Sequence, residues 1–357
     1  MAGIIYDKLA ALDRKVMEPT RPILGISTGD PAGIGPEITV KALALKEIYD
    51  VCRPLVICDA RTIQQIIAIC KLKLKVNSIA APTEAMYQFG TVDVLNMQNI
   101  DPATFEFNVI SAMTGKASFE YVAKVIELAK AKVIDATITG PIHKEAIQKA
   151  GFNFAGHTEI YAALTNTKDY TMMLADGPFR VVHVSTHVSL SDAIKRVKKE
   201  RILKVIELAN DALKKIDIQN PRIAVAGLNP HAGENGMFGR EEIEEIIPAI
   251  QEASALGIQV EGPFPPDTIF PKMKGGQYDV VVCMYHDQGH IPTKLLGFNY
   301  NHEKKIWEGL SGVNITLGLP IIRVSVDHGV AFDKGGKGEA NPDSMIQAIQ
   351  YGARLCG

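Results

Sequence analysis

At 357 residues, 46% of them hydrophobic and 22% charged, the chain is long enough for two domains or one large one and has the composition of an ordinary soluble protein. A formal net charge of -2 argues against the broad basic face that nucleic-acid binding requires, but leaves room for a local cationic pocket and a small acidic substrate. Five scattered cysteines form no close-spaced metal quartet, the start lacks a basic-then-apolar leader, and no run approaches the ~20 apolar residues that cross a bilayer, so a reducing, cytoplasmic setting is expected.

Residues 1–20, with Leu9, Leu12 and Met17 ahead of Pro19, read as a leading helix. Residues 22–26 are the first strand and run into Ser27-Thr-Gly-Asp-Pro-Ala-Gly-Ile-Gly-Pro-Glu-Ile38, a glycine-rich turn that opens a helix. The turn has neither the Gly-x-Gly-x-x-Gly spacing of a dinucleotide fingerprint nor the Gly-Lys-Ser/Thr of a P-loop. Asp30 and Glu37 are either caps of a tight connection or the wall of a pocket, and spacing does not separate the two. Residues 54–58 are a second strand, 61–70 a helix, 71–76 an exposed strand, and 80–110 irregular or strand-like. Residues 116–130 form a helix with Phe119, Val122, Val125, Ile126 and Leu128 on its apolar side.

A strand at 133–138 delivers Thr139-Gly-Pro-Ile-His-Lys144, and Gly156-His-Thr-Glu159 follows a short helix. A histidine beside a turn is more often a cap than a catalyst, yet His143, Lys144, His157 and Thr158 together offer cations and a hydroxyl suited to phosphate or carboxylate. Strands at 170–174 and 179–184 have hairpin spacing, and the second ends at Ser185-Thr-His187. A helical region follows from 189 to 213, and its basic run, 195–201, reads as a solvated face because no aromatics interleave it. A strand at 222–226 delivers Asn229-Pro-His-Ala-Gly-Glu234; residues 241–256 are helical despite Pro248, and 262–267 form a proline-stiffened loop.

The strand at 278–282 leads into Cys283-Met-Tyr-His-Asp-Gln-Gly-His-Ile-Pro-Thr-Lys294. A lone histidine there would more often be packed or capping. A cluster of His286, Asp287, Gln288, His290 and Lys294, with Gly289 read as a tight turn, points to a site. Residues 298–310, with Tyr300 and Trp307 among charges, read as a surface loop or flap. Apolar pieces at 313–317 and 321–326 end in Ser325-Val-Asp-His-Gly329; 335–338 is a flexible loop and 345–351 a closing helix.

The alternation of strands and helices makes this an α/β protein. His187, His231 and His286 each stand just beyond a strand end. Such a trio either converges on a catalytic divalent cation with an open position or is three unrelated loop histidines; the residues alone weigh the two equally. Asp287 is placed to orient His286 or to touch substrate.

Six segments in order carry a resemblance: Gly29-Asp-Pro-Ala-Gly-Ile-Gly-Pro-Glu37, Gly156-His-Thr-Glu159, Leu228-Asn-Pro-His-Ala-Gly-Glu234, Met284-Tyr-His-Asp-Gln-Gly289, Gly312-Val-Asn-Ile-Thr-Leu-Gly-Leu-Pro320 and Ser325-Val-Asp-His-Gly329. Over residues 21–350 the chain resembles the 4-hydroxythreonine-4-phosphate dehydrogenase family. The resemblance implies a two-domain α/β/α architecture akin to isopropylmalate and isocitrate dehydrogenases. It implies a homodimer with the active site in the interdomain cleft, near the interface. Residues 1–135 with 300–357 would form the NAD side, and 136–299 the dimerisation and metal side. It further implies that His187, His231 and His286 bind one divalent cation (Zn, Mg, Mn or Co), one subunit giving His187 and the other giving His231 and His286. His157, Thr158, Lys294, Asn314 and Arg323 match substrate-binding positions. NAD, bound without the usual fingerprint, is expected over the loops at 335–341 with Asp327, His328 and Asn341.

His290-Ile-Pro-Thr-Lys294 and the extra residues around 299–310 look like the paralogous branch described as D-threonate 4-phosphate or D-erythronate 4-phosphate dehydrogenases. The implied reaction oxidises the C3 hydroxyl of a 4-phosphorylated acid with NAD and then releases carbon dioxide, giving dihydroxyacetone phosphate from D-threonate 4-phosphate. Lys294 and Asp287 are the catalytic candidates, Lys294 for proton transfer or for neutralising the oxyanion. Arg323, His157 and Thr158 would hold phosphate or carboxylate, and His290 would read hydroxyl against ammonium at C2. The rivals are 4-phosphohydroxy-L-threonine or D-erythronate 4-phosphate as substrate, and a noncatalytic sensor of phosphorylated sugar acids. A sensor has no reason to keep three histidines with Lys294 and Arg323.

Overall fold

The computed structural model describes residues 21–303, 306–310 and 312–357; the leading helix expected over 1–20 lies outside the described residues. In chain order the strands are β1 (Ile23–Ser27), β2 (Arg53–Cys58), β3 (Lys75–Ile79), β4 (Thr91–Asn96), β5 (Ala136–Thr139), β6 (Thr171–Asp176), β7 (Phe179–His183), β8 (Ile223–Ala226), β9 (Val260–Phe264), β10 (Val280–Cys283), β11 (Phe298–Asn301), β12 (Ile306–Leu310), β13 (Val313–Leu317) and β14 (Ile322–Val326). Twelve of them form one sheet in the order β3-β4-β2-β1-β5-β14-β13-β6-β7-β10-β8-β9, flanked by helices. The first six in that order run parallel. The last four also run parallel to one another. Between these blocks β13 and β6 are antiparallel to both their neighbours.

This strip positions the site. Residues directly opposite in a ladder project to the same face. Asn314 opposes Ser325, Thr316 opposes Arg323, and on β5 Thr137 and Thr139 align with Arg323 and Ser325. One face therefore carries these polar side chains. The alternate residues, Ile138, Val313, Ile315, Leu317, Val324 and Val326, enter the main core. The same period splits the second parallel block. Val182, Val225, Val280 and Val282 join the main core, while Val181, Ala224, Ala226, Val281 and Cys283 form a second cluster with Ile269 and Met273 of the helix Pro266–Lys274.

Residues 80–110, expected to be irregular or strand-like, contain the strand β4, whose Val92 and Val94 are fully buried. Several other expectations change. The proline-rich stretch at 262–267 is not a loop: it supplies edge strand β9, where Pro263 has little ladder to interrupt, and then opens a helix. The helix expected over 241–256 begins as a π-turn, Glu242–Ile246, ahead of Pro248, which lacks the N–H needed to keep α-helical bonding. The helix after residue 111 is Ala112–Lys130, with Ser111 Oγ accepting from the Thr114 N–H at 3.1 Å as its cap. Within 298–310, expected to be a surface loop or flap, β11 pairs antiparallel with β12. No helix among the described residues is long and apolar enough to cross a membrane.

The largest change concerns the segment after β10. It forms the helix His286–Gly297 with Pro292 inside it, not a turn. Gly289 serves packing: a Cβ there would stand 2.5 Å from His183 Nε2 and 3.0 Å from Cys283 Sγ.

Candidate active site

A cavity of about 260 Å³ lies over the polar face of the strip, lined by residues from β13, β14, β6, the 141–159 turns and the helix His286–Gly297. At its floor Arg323, 3% exposed, donates from Nη1 to Thr316 Oγ1 at 2.8 Å and from Nη2 to Thr139 Oγ1 at 3.3 Å. Burial lowers its pKa to about 10, so it remains a cation at neutral pH. Its Nε has no partner. Seven buried side-chain atoms among the described residues lack a hydrogen-bond partner, and four of them, Arg323 Nε, His157 Nε2, Asn314 Oδ1 and His328 Nε2, belong to this lining. Buried polar atoms are normally satisfied, so a concentration of orphans in one cavity marks a place that a polar ligand completes.

His157 and Thr158 open the helix His157–Thr165, whose N-cap, Gly156, has no side chain to occupy the first N–H groups. Burial, with the Arg323 charge next, drives the His157 pKa well below its usual value, so the expected cation is a neutral hydrogen-bonding ring. His143 is not in the lining. Its Nδ1 accepts from the Ala146 N–H at 3.3 Å as a helix cap, and its ring stacks on Phe332 at 4.8 Å. Lys144 does line the cavity.

On the helix His286–Gly297, His286, His290 and Lys294 recur every fourth residue and share a face. Lys294 Nζ donates to the Asp327 carbonyl at 2.9 Å and to the Asp327 carboxylate, and sits 4.8 Å from the Phe298 ring centre. Burial raises the Asp327 pKa, and Lys294 opposes that rise. The His286 and His290 rings stack at 3.6 Å. His290 is bonded through Nδ1 to the His286 carbonyl at 2.9 Å, an arrangement in which Nδ1 donates and Nε2 keeps its lone pair. Burial and then His286 push its pKa down to about 4. Gln288, counted with the site in the sequence, is structural: it accepts from the Met284 N–H at 2.6 Å and donates to the Gly227 carbonyl at 2.7 Å, tying the ends of β10 and β8.

His187 and His286 are neighbours, with ring centres 5.7 Å apart. Asp287 Oδ1 lies 2.6 Å from His286 Nδ1, a contact that fixes the orientation of the ring. Glu159, which the sequence reading did not single out, lies 4.0 Å from His187 Nδ1. His231 is elsewhere, on the Pro230–Gly236 turn, where it has a left-handed backbone (φ 52°) and Nδ1 3.2 Å from Glu234 Oε2. The buried Glu242 carboxylate holds that turn, accepting from the Leu228 and Asn229 N–H groups at 2.8 and 2.7 Å. Among the described residues no group of three or more His, Cys, Asp or Glu side chains converges as a metal site.

Of the positions expected at NAD, Asp327 and His328 line the cavity, while Asn341 Oδ1 accepts from the Asp343 N–H at 2.8 Å. A larger cavity, about 620 Å³, adjoins through Thr158, Glu159, Met172 and His187. Part of the basic run, Lys195, Arg196, Lys198 and Arg201, rims it.

Comparison with known proteins adds relatives to this geometry. The family described as pyridoxal phosphate biosynthetic protein PdxA matches residues 50–352. The chain is 46% identical over 337 residues to a putative D-threonate 4-phosphate dehydrogenase of Oceanobacillus iheyensis, covering 94% of this chain and 98% of that one. It is 45% identical to the D-threonate 4-phosphate dehydrogenase of Cupriavidus necator, covering 94% and 97%. Among solved structures, a 4-hydroxythreonine-4-phosphate dehydrogenase from Burkholderia phymatum is similar with a TM-score of 0.81 at 43% identity, covering 94% of this chain and 98% of that one. A putative enzyme of the same description from Salmonella typhimurium gives 0.82 at 41% identity, covering 94% and 100%.

Proposed function

This chain belongs to the pyridoxal phosphate biosynthetic protein PdxA family, and from that premise we propose that it is an NAD-dependent dehydrogenase that oxidises the C3 hydroxyl of D-threonate 4-phosphate. The four unpartnered buried atoms around Arg323 carry this reading, because they offer an anionic, hydroxyl-rich ligand the bonds that the fold leaves open. Arg323 holds phosphate or carboxylate through charge-assisted bonds, Thr158 and the open N–H groups of its helix add donors, and neutral His157 adds a hydrogen bond without charge. Asn314 orients the acid. Lys294, ion-paired to Asp327, donates a hydrogen bond to the C3 oxygen, and it takes the hydroxyl proton only by passing one of its own to the Asp327 carboxylate. Bound NAD supplies the hydride acceptor, and a bound divalent cation supplies a Lewis acid for the C3 oxygen. The product of oxidation is a 3-oxo acid, which loses its carboxylate as carbon dioxide and takes up a proton at C2, leaving dihydroxyacetone phosphate.

The donors fit such a cation in kind. His187 and His286 are close enough to share an ion, and Asp287 fixes the ring of His286. The split expected from the resemblance, His187 from one subunit and His231 with His286 from the other, is therefore revised: His187 and His286 of one chain are neighbours, and the third donor is His231 of a second copy, so the active unit is a homodimer. Two lobes, 1–135 with 300–357 and 136–299, with the cleft between them, complete this reading; the two parallel blocks support a division into two, with the first boundary moved past β5, which pairs with β1 and β14. The five cysteines are unpaired, as suits the cytoplasm.

The test is NADH formation with D-threonate 4-phosphate, D-erythronate 4-phosphate and 4-phosphohydroxy-L-threonine, each with and without stringent chelation. We expect D-threonate 4-phosphate to lead in kcat/KM by about tenfold or more, and chelation to abolish turnover. A lead for 4-phosphohydroxy-L-threonine would move the substrate to the amino acid. Binding without NADH would make the protein a sensor.

A further inference from the structure

The glycine-rich turn after β1 lies outside the cavity lining and packs against the segment that leaves it. The Ile34 N–H donates to the Val330 carbonyl at 3.0 Å, and a Cβ on Gly33 would stand 2.8 Å from that same oxygen. On the helix Gly35–Leu43 that follows, Glu37 is fully buried. Its Oε1 accepts from the Ala340 N–H at 2.6 Å and from Lys41 Nζ at 2.8 Å, and its Oε2 accepts from the Gly338 N–H at 3.0 Å. Lys41 Nζ donates in turn to the carbonyls of Gly338 and Ala340, at 2.9 and 2.7 Å. The stretch expected to be a flexible loop is thus gripped through both backbone groups of two residues.

We propose that Glu37 and Lys41 are positioning residues for NAD, which set the backbone shape of the 335–341 loop before the cofactor arrives. The proposal rests on the reading that this loop is part of the NAD side. A buried ion pair is a poor way to gain stability, since apolar residues of similar volume usually do as well or better. What it provides here is shape: Gly335, Gly336 and Gly338 have no side chains with which to anchor the loop. The gripped segment is also continuous with Asp327 and His328, which reach the cavity. A loop already ordered costs less entropy to bind against, so loss of the clamp falls on NAD affinity.

The experiment compares Glu37→Gln, Lys41→Met and Asn341→Ala by steady-state kinetics in both substrates, by melting temperature, and by fluorescence titration of the full-length protein with NADH, which needs no turnover. Gln keeps the volume of Glu37 but offers one acceptor oxygen and no charge. Met keeps the stem of Lys41, whose side chain is 20% exposed, so this second variant serves if the first fails to fold. Both are expected to weaken NADH binding and raise KM for NAD by about tenfold, with kcat at saturating NAD and KM for the acid within about twofold. If Asn341→Ala raises KM for NAD while neither clamp variant does, the positioning role is wrong. Parallel losses in both substrates with a lower melting temperature would make the pair merely structural. If all three variants leave NADH binding unchanged, the loop is not on the NAD side, and the proposal falls with that reading.

Discussion

The two faces of the β13–β14 ladder are built from alternating residues of the same strands, yet they are finished in different ways. Val313, Ile315, Val324 and Val326 are buried in the main core. Asn314, Arg323 and Ser325 line the cavity, with Thr316 bonded to Arg323, and there Arg323 Nε and Asn314 Oδ1 remain without partners. Carbon surface is satisfied by removal from water, whereas a buried polar atom stays costly until something bonds to it. On the proposed reading, stability resides on one face and binding on the other, and substitutions should separate them.

The largest separation is expected at Arg323. Replacement by Met removes the cation that the cavity is built around, and kcat/KM should fall by about 10³-fold or more. Because the lost group is a buried, incompletely bonded charge, thermal unfolding should show unchanged or higher stability. Kinetics and melting falling together would place Arg323 in the scaffold. The converse is Ile315→Ala, on the other face at 2% exposure. It should cost about 3 kcal/mol in denaturant unfolding. The folded variant should keep kcat/KM within about threefold; a larger kinetic loss would mean that the faces are coupled.

Part of this contrast was legible in the sequence: residues 313–317 and 321–326 read only as apolar pieces, and it was the resemblance, not periodicity, that marked Asn314 and Arg323 as substrate positions. His187 and His286 were marked as strand-end residues, and the fold brings them together because β7 and β10 are adjacent. What escaped depends on neighbours distant in the chain. The glycine in the histidine-rich segment signalled a turn, but His183 and Cys283 demand that glycine inside a helix. His157 has the sequence of a cation, and burial beside Arg323 makes it neutral. Glu37 was read as either a cap or a pocket wall, and its partners lie some three hundred residues away, at Gly338 and Ala340.

Asp30 asks whether every orphan atom marks a ligand. Its Oδ1 accepts from the Ala32 N–H at 3.0 Å, while Oδ2 is buried without a partner and lies away from the cavity lining. Burial raises its pKa from 3.8 to about 6. Between these values the unfolded chain has released a proton that the folded chain still holds. Stability contributed by the neutral acid is therefore full below about 3.8 and lost as the pH rises to about 6. Asp30→Asn never ionises, so it should be more stable than the parent at pH 7 by roughly 2 kcal/mol, with a flatter pH profile from 4 to 6 and unchanged kinetics. A large kinetic defect would extend the functional surface to this turn.

The smallest effect is expected at the rim. Asp287 bonds His286 at 2.6 Å, but its side chain is 68% exposed. Water competes for the carboxylate, so the hydrogen bond that fixes the ring is weaker than a buried one. In Asp287→Ala the imidazole remains and only its orientation is released. Loss of such a partner weakens metal binding by about 10–100-fold, and the exposure here favours the lower end, about tenfold in a competitive metal titration. The defect should be overcome by added cation, with kcat recovering toward that of the parent. If saturating metal leaves kcat depressed, Asp287 does more than hold His286: it acts on the substrate itself, and the rim belongs with the buried face as part of the reacting surface.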